Sequence, residues 1–318
     1  MKHKHILLLF PLLLSLSSCE NDTPVFQEYL YLFDTFVDMR LYEGNKEQKD
    51  HLVSLLKELD QLLDPYQSYK GVNNLHAINE SQEKIEVSPY LSEFLTLSFQ
   101  AKEETKGYID PLIGSLSSLW KSDLEKGVIP SQEEIDYLLQ EKENSSLSIE
   151  GNYVQRNGSA TLDSGALAKG YALKKVKEYL EEQKIKRYLF SLGGSSILLG
   201  EKTSQNKDFK VSIRELGDHI YFQLHSTSLG TSSIYQQKYE IDGKIYSHII
   251  NPMNGKAEVK SPLVVVSGLD PFTMDCYSTY FALCGQEVMT AMEEKCDALF
   301  YDGKEITYRS ESLEVYQR

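Results

Sequence analysis

The patterning of the chain changes near residue 145, and this change limits the folds open to it. Before that point apolar residues recur at helical spacing, and residues 47–63 place five leucines on one helical face. After it, short apolar runs separated by turn residues indicate β-strands. With no internal repeat or long linker, this order predicts one compact α+β domain with a mixed or antiparallel sheet and flanking helices.

Capping signals place several of the elements. Ser88 before Pro89 predicts a helix that runs to about Lys106, and Ser131 with Glu134 forms a capping box. The segment 66–79 is polar and predicts turns. Two more helices are predicted at 168–183 and 271–283. Strands are predicted at 29–42, 146–149, 153–156, 188–191, 209–213, 221–225 and 263–267, with a closing hairpin at 298–301 and 305–308.

The N-terminus has the pattern of an export signal. Lys2 and Lys4 precede an apolar run at 6–14, and small residues then lead to Cys19. The ending resembles a bacterial lipoprotein signal, which predicts removal of residues 1–18, a palmitate-type anchor on Cys19, a tether at 19–28 and a folded domain at 29–318. The apolar run is too short for a membrane helix. The expected location is the cell envelope, outside the cytoplasm; an ordinary signal peptide with a chance cysteine is the alternative.

The charge of the chain excludes one class of function. The formal net charge is −14 at pH 7, and the predicted signal contains lysines but no acid. Nonspecific nucleic-acid binding needs a basic surface, so no nucleic-acid partner is expected.

Of three further cysteines, Cys276 and Cys284 lie in an apolar, helix-like stretch and are predicted to be buried thiols rather than a disulfide framework. One disulfide among these two and Cys296 stays possible. The chain has no CxxC motif or Cys/His cluster that would indicate zinc.

Two segments contain small residues that allow close approach to a ligand. In 162–171, small residues directly precede a predicted helix, whose N-terminus attracts phosphate. Lys169 adds a mobile positive charge there, and Asp163 could bind a ribose hydroxyl or a ring nitrogen. A tight turn that packs the helix on a sheet is the alternative. The Gly193-Gly194 pair fits neither GxGxxG nor a P-loop, so a turn between strands is the simpler interpretation.

His248 follows a predicted strand and precedes a turn at 251–255. A histidine in that position can act as a general base near neutral pH, although a lone histidine is more often structural. The chain has no GxSxG motif, which argues against a serine hydrolase of that type.

Asp275 and Thr279 are four residues apart in a predicted helix and therefore share a face. A carboxylate and a hydroxyl are hard oxygen ligands suited to Mg²⁺, with substrate phosphates completing the coordination. The alternative is a helix N-cap at Thr273 or Asp275.

Taken in order, these segments resemble the ApbE family of FAD:protein FMN transferases over nearly the whole mature chain. The family's Asp, small residues and Ala-Lys-Gly-Tyr are similar to 163–171, and its Asp-x-x-x-Thr is similar to 275–279. Further similar segments are Tyr69 with Asn79, 107–111, 114–116, Leu119-Trp120, 192–194, Thr231-Ser232, Tyr235, 242–244 and 247–255.

The resemblance implies cleavage of FAD and attachment of FMN, through a phosphoester, to a serine or threonine of an exported redox protein. It implies Mg²⁺ held by Asp275, Thr279 and a backbone carbonyl near Ala166, with Lys169 paired to a phosphate or the flavin edge. His248 would take the proton from the acceptor hydroxyl. Hydrolysis of FAD to FMN and AMP by the same site is one alternative, and a non-catalytic flavin-binding lipoprotein is another.

The resemblance also implies the contacts to FAD. Tyr69 and Tyr108 would pack on an aromatic ring, while Asp163 and the backbone of 108–110 would bind polar groups. Phe33 lies where the family has a Met-Gly-Thr entry. The full set of implied contacts is Phe33, Tyr69, Tyr108, Ile109, Asp110, Asp163, Lys169 and Ile250.

Five positions depart from the family pattern. Asn251 replaces an aspartate, Asn254 a threonine and Ser233 a glycine. Lys174 stands where an acid is common, and Ser278 where an extra acid is sometimes found. The loss of carboxylates is expected to weaken Mg²⁺ binding or to shift the balance between transfer and hydrolysis.

Overall fold

The computed structural model describes residues 23–203, 208–217, 220–235 and 238–317. Its central feature is an eight-stranded sheet in which every neighbouring pair is antiparallel. With strands numbered along the chain, the spatial order is β1 (Phe26–Leu32), β2 (Thr35–Leu41), β6 (Tyr188–Leu192), β7 (Ser196–Leu199), β10 (Thr227–Ser233), β13 (Leu263–Gly268), β14 (Asp297–Tyr301) and β15 (Ile306–Arg309).

Smaller antiparallel sheets accompany it. One contains β3 (Ile85–Glu86), β5 (Tyr153–Asn157) and β4 (Ser146–Glu150), and a second contains β16 (Val315–Gln317), β9 (Ile220–Leu224) and β8 (Phe209–Val211). A hairpin of β11 (Lys238–Ile241) and β12 (Lys244–Ser247) forms a separate two-stranded sheet.

The helices flank the sheet, so the predicted α+β class is confirmed. Ser88 and Ser131 cap α3 and α5 as predicted, each accepting a backbone N–H through its hydroxyl. Helix α4 was not predicted, and α2 lies in the segment predicted as turns. The helices are α1 (Lys46–Leu62), α2 (Leu75–Asn79), α3 (Pro89–Glu104), α4 (Gly114–Glu125), α5 (Gln132–Glu143), α6 (Ala168–Glu182) and α7 (Pro271–Cys284), with 3-10 turns at Pro111–Ile113, Arg214–Leu216 and Gln286–Ala291.

The prediction of a single strand over 29–42 was wrong, because the chain reverses at Phe33-Asp34 to give β1 and β2. Both residues have a left-handed backbone, with φ of 54° and 53°, as a tight two-residue turn requires. The carboxylate of Asp60 accepts the Phe33 N–H at 2.5 Å and holds the turn. Aromatic residues continue through the reversal, so alternation alone could not reveal it.

Apolar side chains form three clusters around this frame. On one face of the main sheet, β2 packs against α1, α3, α6 and α7, and the five predicted leucines of α1 are buried. On the other face, the β16-β9-β8 sheet covers the central strands. The third cluster joins α4 and α5 to Tyr246 and Ile250, near the β11–β12 hairpin. Strands β3, β7, β10, β11 and β16 were not predicted.

Cys276, Cys284 and Cys296 are free and buried, which confirms the prediction of buried thiols for Cys276 and Cys284. Residues 1–22, including the predicted signal and Cys19, lie outside the described residues. Within the described part, no helix is long and apolar enough to cross a membrane.

Candidate active site

Helix α7 brings Asp275 and Thr279 to the wall of one cavity, as their spacing predicts. The helix begins at Pro271, and its N-cap is Asp270, whose carboxylate accepts the Thr273 N–H. Both N-cap alternatives, Thr273 and Asp275, are therefore wrong. The Asp275 side chain is free of a capping role because it lies inside the helix.

The carboxylate of Asp275 is buried but fully engaged. Its Oδ2 accepts the backbone N–H of Gly170 at 2.8 Å, and its Oδ1 accepts the hydroxyl of Ser196 at 2.7 Å. Burial raises the pKa of Asp275, while the charge of Lys169 and these two hydrogen bonds oppose the rise. A buried carboxylate with one nearby ammonium group is suited to receive further positive charge.

Gly170 is required by the packing of α6 on α7. A Cβ at this position would lie 2.6 Å from the Cβ of Asp275 and 2.8 Å from the carbonyl oxygen of Pro271. Only glycine allows the α6 backbone to approach closely enough to donate to the Asp275 carboxylate. Gly170, in the Ala-Lys-Gly-Tyr segment, thus fixes the position of the Asp275 carboxylate.

A hydroxyl cluster on β10 supports the same side of the cavity. The Ser232 hydroxyl lies 2.9 Å from Ser278 Oγ and 3.1 Å from Thr279 Oγ1. Next to it, the hydroxyl of Thr231 is buried and has no hydrogen-bond partner among the described residues. Both residues line the cavity, so this wall presents oxygen atoms with unused bonding capacity.

The turn before α6 forms another wall. Asp163 Oδ1 accepts the Gly165 N–H at 2.8 Å, and the Ser164 hydroxyl donates to Leu63 O at 2.8 Å. Helix α6 has no side-chain cap, and Ala166 and Lys169 line the cavity. The segment therefore packs as a tight turn and also faces the candidate ligand, so the two sequence interpretations are compatible.

His248 follows β12 and lines the cavity from the opposite side. Ser247 holds the chain beside it by accepting the Ile249 N–H at 2.9 Å. The following turn is fixed by Asn251, whose Oδ1 accepts the Met253 N–H at 3.0 Å, and by Trp120, whose indole N–H donates to Gly255 O at 2.6 Å. The predicted turn at 251–255 is confirmed.

Asp110 is a predicted FAD contact, and its carboxylate stabilises the local structure. It accepts the Leu112 N–H and lies 3.1 Å from Lys102 Nζ and 3.4 Å from Lys142 Nζ. The Lys142 ammonium also donates to Pro252 O at 2.7 Å. Lys142 therefore joins the Asp110 wall to the loop that follows His248.

The cavity has an empty volume of about 950 Å³, which includes its open mouth. The lining also includes Ser195 and three residues of β10, Thr231, Ser232 and Ser233. None of these four was predicted from the sequence to be a site residue. The predicted residues that line it are Tyr108, Ile109, Asp110, Asp163, Ala166, Lys169, His248, Ile250, Asp275 and Thr279.

The sequence profile of the ApbE family matches residues 33–300. The chain belongs to the ApbE family. It is 28% identical over 257 residues to the FAD:protein FMN transferase of Escherichia coli K12, a match that covers 76% of this chain and 72% of that protein. It is also 28% identical over 264 residues to the protein of the same name from Vibrio cholerae O395, with 76% of each chain covered.

Solved ApbE structures share the fold. The ApbE protein of Thermotoga maritima superposes with a TM-score of 0.78 at 22% identity, covering 90% of this chain and 97% of that one. The flavin transferase ApbE from Vibrio cholerae gives a TM-score of 0.74 at 24% identity with the same coverage. These likenesses confirm the antiparallel sheet with flanking helices.

Two predicted residues of the ApbE pattern do not line the cavity. Phe33 lies in the β1–β2 turn, and the Tyr69 hydroxyl donates to Asp64 Oδ2 at 2.8 Å. Tyr66 does not line the cavity either. The ammonium of Lys121 lies 5.1 Å from the centre of its ring, and burial, with the charge of Asp163, raises its pKa.

The residues that depart from the ApbE pattern make local contacts. Lys174 lies 3.3 Å from Oδ1 of Asp270, the N-cap of α7. Ser233 donates to Glu215 Oε1 at 3.0 Å. Ser278 donates to the backbone oxygen of Asp275 at 2.9 Å. Asn251 makes the same kind of turn contact that an aspartate would make.

The donors available to a metal are oxygen atoms. In the part of the chain that the structure describes, no group of three or more His, Cys, Asp or Glu side chains is placed to hold a metal ion. A cation beside Asp275 would have one carboxylate, the Thr279 hydroxyl and a carbonyl near Ala166. This set fits a hard cation such as Mg²⁺, which commonly keeps waters and binds substrate phosphates.

Proposed function

We propose that this ApbE-family chain is an Mg²⁺-dependent FAD:protein FMN transferase that attaches FMN, through a phosphoester, to a serine or threonine of an exported redox protein. The observation that carries the proposal is the convergence of Asp275, Thr279, Lys169 and His248 on one cavity. Its support from outside the chain is the similarity to relatives of that name over three quarters of the sequence.

Asp275, Thr279 and a carbonyl near Ala166 would hold the metal. Bound there, Mg²⁺ would neutralise charge on the FAD pyrophosphate and on the leaving phosphate. The buried Asp275 carboxylate favours such a ligand because burial already penalises its uncompensated charge. The Thr231 hydroxyl has no partner among the described residues, so it could donate a hydrogen bond to a phosphate oxygen of FAD.

His248 would act as the general base. It removes the proton from the acceptor hydroxyl, and the oxygen attacks the phosphorus of the FMN half of FAD. The new P–O bond forms as the bond to the AMP phosphate breaks, so the products are FMN-protein and AMP. Lys169 pairs with a phosphate oxygen throughout, which orients the pyrophosphate toward the attacking hydroxyl.

The flavin would occupy the apolar side of the cavity. Tyr108 and Ile250 present side chains there, and the backbone of Ile109 and Asp110 offers polar groups for the ring edge. Tyr66, whose pKa is raised by burial and by the charge of Asp163, would add an aromatic face.

The decisive test uses the purified full chain in detergent with FAD, MgCl₂ and an exported acceptor protein. We expect the mass of the acceptor to increase by one FMN, with AMP released in equal amount. Release of FMN and AMP without labelling of the acceptor would instead show hydrolysis, in which water replaces the hydroxyl. Tight binding of FAD with neither product would contradict the enzyme proposal.

The second part of the proposal concerns location. We propose a lipid anchor on Cys19 that holds the protein in the cell envelope, facing out of the cytoplasm. The support is the order of basic, apolar and small residues before Cys19. Mass spectrometry of the mature N-terminus should show an acylated cysteine, and Cys19→Ser should release the protein from the membrane fraction. An unmodified Cys19 would contradict it.

A further inference from the structure

An aromatic patch stands exposed at the edge of the main sheet. Tyr29, Tyr31 and Phe36 expose 68%, 58% and 49% of their surface, and we call these three residues the aromatic patch. The Tyr31 and Phe36 rings pack edge to face with centroids 5.4 Å apart. Strand alternation explains the placement, since Phe26 and Leu30 of the same strand pack on the core from the other face.

The aromatic patch lies on a face of the main sheet that another sheet covers over the central strands. Over the central strands, the β16-β9-β8 sheet packs on this face, and the cover reaches Tyr42, whose ring lies 6.1 Å from that of Phe209. Within the described residues, nothing extends that cover to the patch. Adjacent aromatic rings that are exposed to solvent indicate a surface that becomes buried when a partner binds.

The charged pair beside the patch carries no net charge, in contrast to the chain as a whole. The cross-strand neighbour of Tyr29 is Asp38, whose carboxylate is paired with Arg40 at 2.5 Å. The chain as a whole has a formal net charge of −14, which opposes approach to an anionic surface. The patch is therefore a part of the molecule that can approach a lipid headgroup layer without strong repulsion.

The position of the patch along the chain points to the occupant. Strand β1 begins at Phe26, seven residues after Cys19, and seven residues span at most about 25 Å. An acylated Cys19 would thus keep the start of β1 within that distance of the bilayer, and Tyr29, ten residues after Cys19, within about 36 Å. We infer that the aromatic patch docks on the surface of the membrane that holds the lipid anchor, an inference that rests on the proposed acylation of Cys19.

Tyrosine suits this environment, because its ring enters the headgroup region while its hydroxyl stays hydrated. Docking also orients the cavity. The Phe36 carbonyl accepts the Gly193 N–H at 2.8 Å, and Ser195, two residues further, lines the cavity. The cavity wall that contains Ser195 would then lie on the side of the molecule that faces the bilayer, from which an acceptor held by its own membrane segment could approach.

The test measures depth in the membrane directly. The full-length acylated chain is reconstituted in phosphatidylcholine vesicles with brominated acyl chains, which quench tryptophan on contact. The chain has a single tryptophan, Trp120, which is buried, so it provides a constant background. Tyr29→Trp and Tyr31→Trp report on the patch, and Tyr137→Trp, at a tyrosine that is 60% exposed on α5, is the matched control.

We expect quenching of the two patch variants to exceed that of the Tyr137→Trp control at least about threefold, as for an aromatic group at the interface. Equal quenching in all three variants would overturn the inference. Shielding of the patch that is independent of lipid, with a dimer in sedimentation, would overturn it in favour of a second copy. An unacylated Cys19 would remove its basis. FMN transfer, assayed separately in detergent, tests the proposed function independently of these outcomes.

Discussion

The ammonium of Lys142 donates to the carbonyl oxygen of Pro252 at 2.7 Å and so ties helix α5 to the loop that carries His248. The same ammonium lies 3.4 Å from the buried carboxylate of Asp110, which also lines the cavity. The side chain is only 12% exposed, so this bridge is shielded from solvent. Lys142 does not line the cavity, but it fixes the distance between Asp110 and the loop after His248, which both do.

We expect Lys142→Met to lower FMN transfer about tenfold, chiefly through a higher KM for FAD, because a displaced wall misplaces the substrate. Loss of the hydrogen bond should also lower the free energy of unfolding by about 1 kcal/mol. Lys142→Arg should restore part of the activity. Lys126→Met, at a side chain that is 65% exposed, is the control. Unchanged kinetics in Lys142→Met would refute the bridging role.

Asp275→Asn should abolish Mg²⁺-dependent transfer, by about 100-fold or more, because the amide cannot supply the negative charge that the cation requires. Burial raises the pKa of Asp275, so the charged form is costly, and its removal should offset part of the stability that is lost with one acceptor oxygen for Gly170 or Ser196. Steady-state rates across a Mg²⁺ titration, together with thermal unfolding, separate the two effects. Full turnover in a folded Asp275→Asn protein would refute the site.

Gly170→Ala should destabilise the protein by about 1–3 kcal/mol, because the added methyl group would lie 2.6 Å from Asp275 Cβ and force α6 away from α7. Transfer activity should fall with it, since the Gly170 N–H would no longer reach the carboxylate. Urea unfolding is the measurement, with Glu182→Ala on the exposed end of α6 as the control. An unchanged midpoint would show that the two helices can separate without cost.

Tyr66→Ala should raise the KM for FAD, whereas Tyr69→Ala should have a smaller effect. The reason is that burial and the charge of the cavity residue Asp163 raise the pKa of Tyr66, whereas the Tyr69 hydroxyl donates to Asp64. Isothermal titration of FAD into both variants compares them under identical conditions. Weaker binding in Tyr69→Ala than in Tyr66→Ala would restore Tyr69 as the stacking residue implied by the family resemblance.

The carboxyl of Asp60 should make stability depend on pH. Burial raises its pKa, the Phe33 N–H opposes the rise, and Asp64 and Asp34 add to it. The folded form therefore binds this proton more tightly than the unfolded chain does. Its contribution to the free energy of unfolding is greatest below the usual pKa of 3.8 and is lost as the pH rises through the raised value.

Urea unfolding from about pH 4 to about pH 7 should show this loss in the native protein and a smaller one in Asp60→Asn. The amide oxygen can still accept the Phe33 N–H, so the turn should be retained. Identical pH slopes in the two proteins would show that Asp60 is not perturbed.

The sequence by itself determined the features that depend on near neighbours. The pairing of Asp275 with Thr279, the leucine face of α1 and the caps at Ser88 and Ser131 follow from helical geometry over three or four residues. Together with the family resemblance, they were enough to predict the fold class and most of the cavity lining.

Only the tertiary structure decided the contacts between distant segments. Ser196 reaches Asp275 across 79 residues, Ser232 reaches Ser278 across 46, and Lys142 reaches Pro252 across 110. Each contact exists because β7, β10 and β13 are neighbours in the sheet or because α5 packs beside the loop after β12. Local propensities do not specify strand order, which depends on the burial of both faces of the whole sheet.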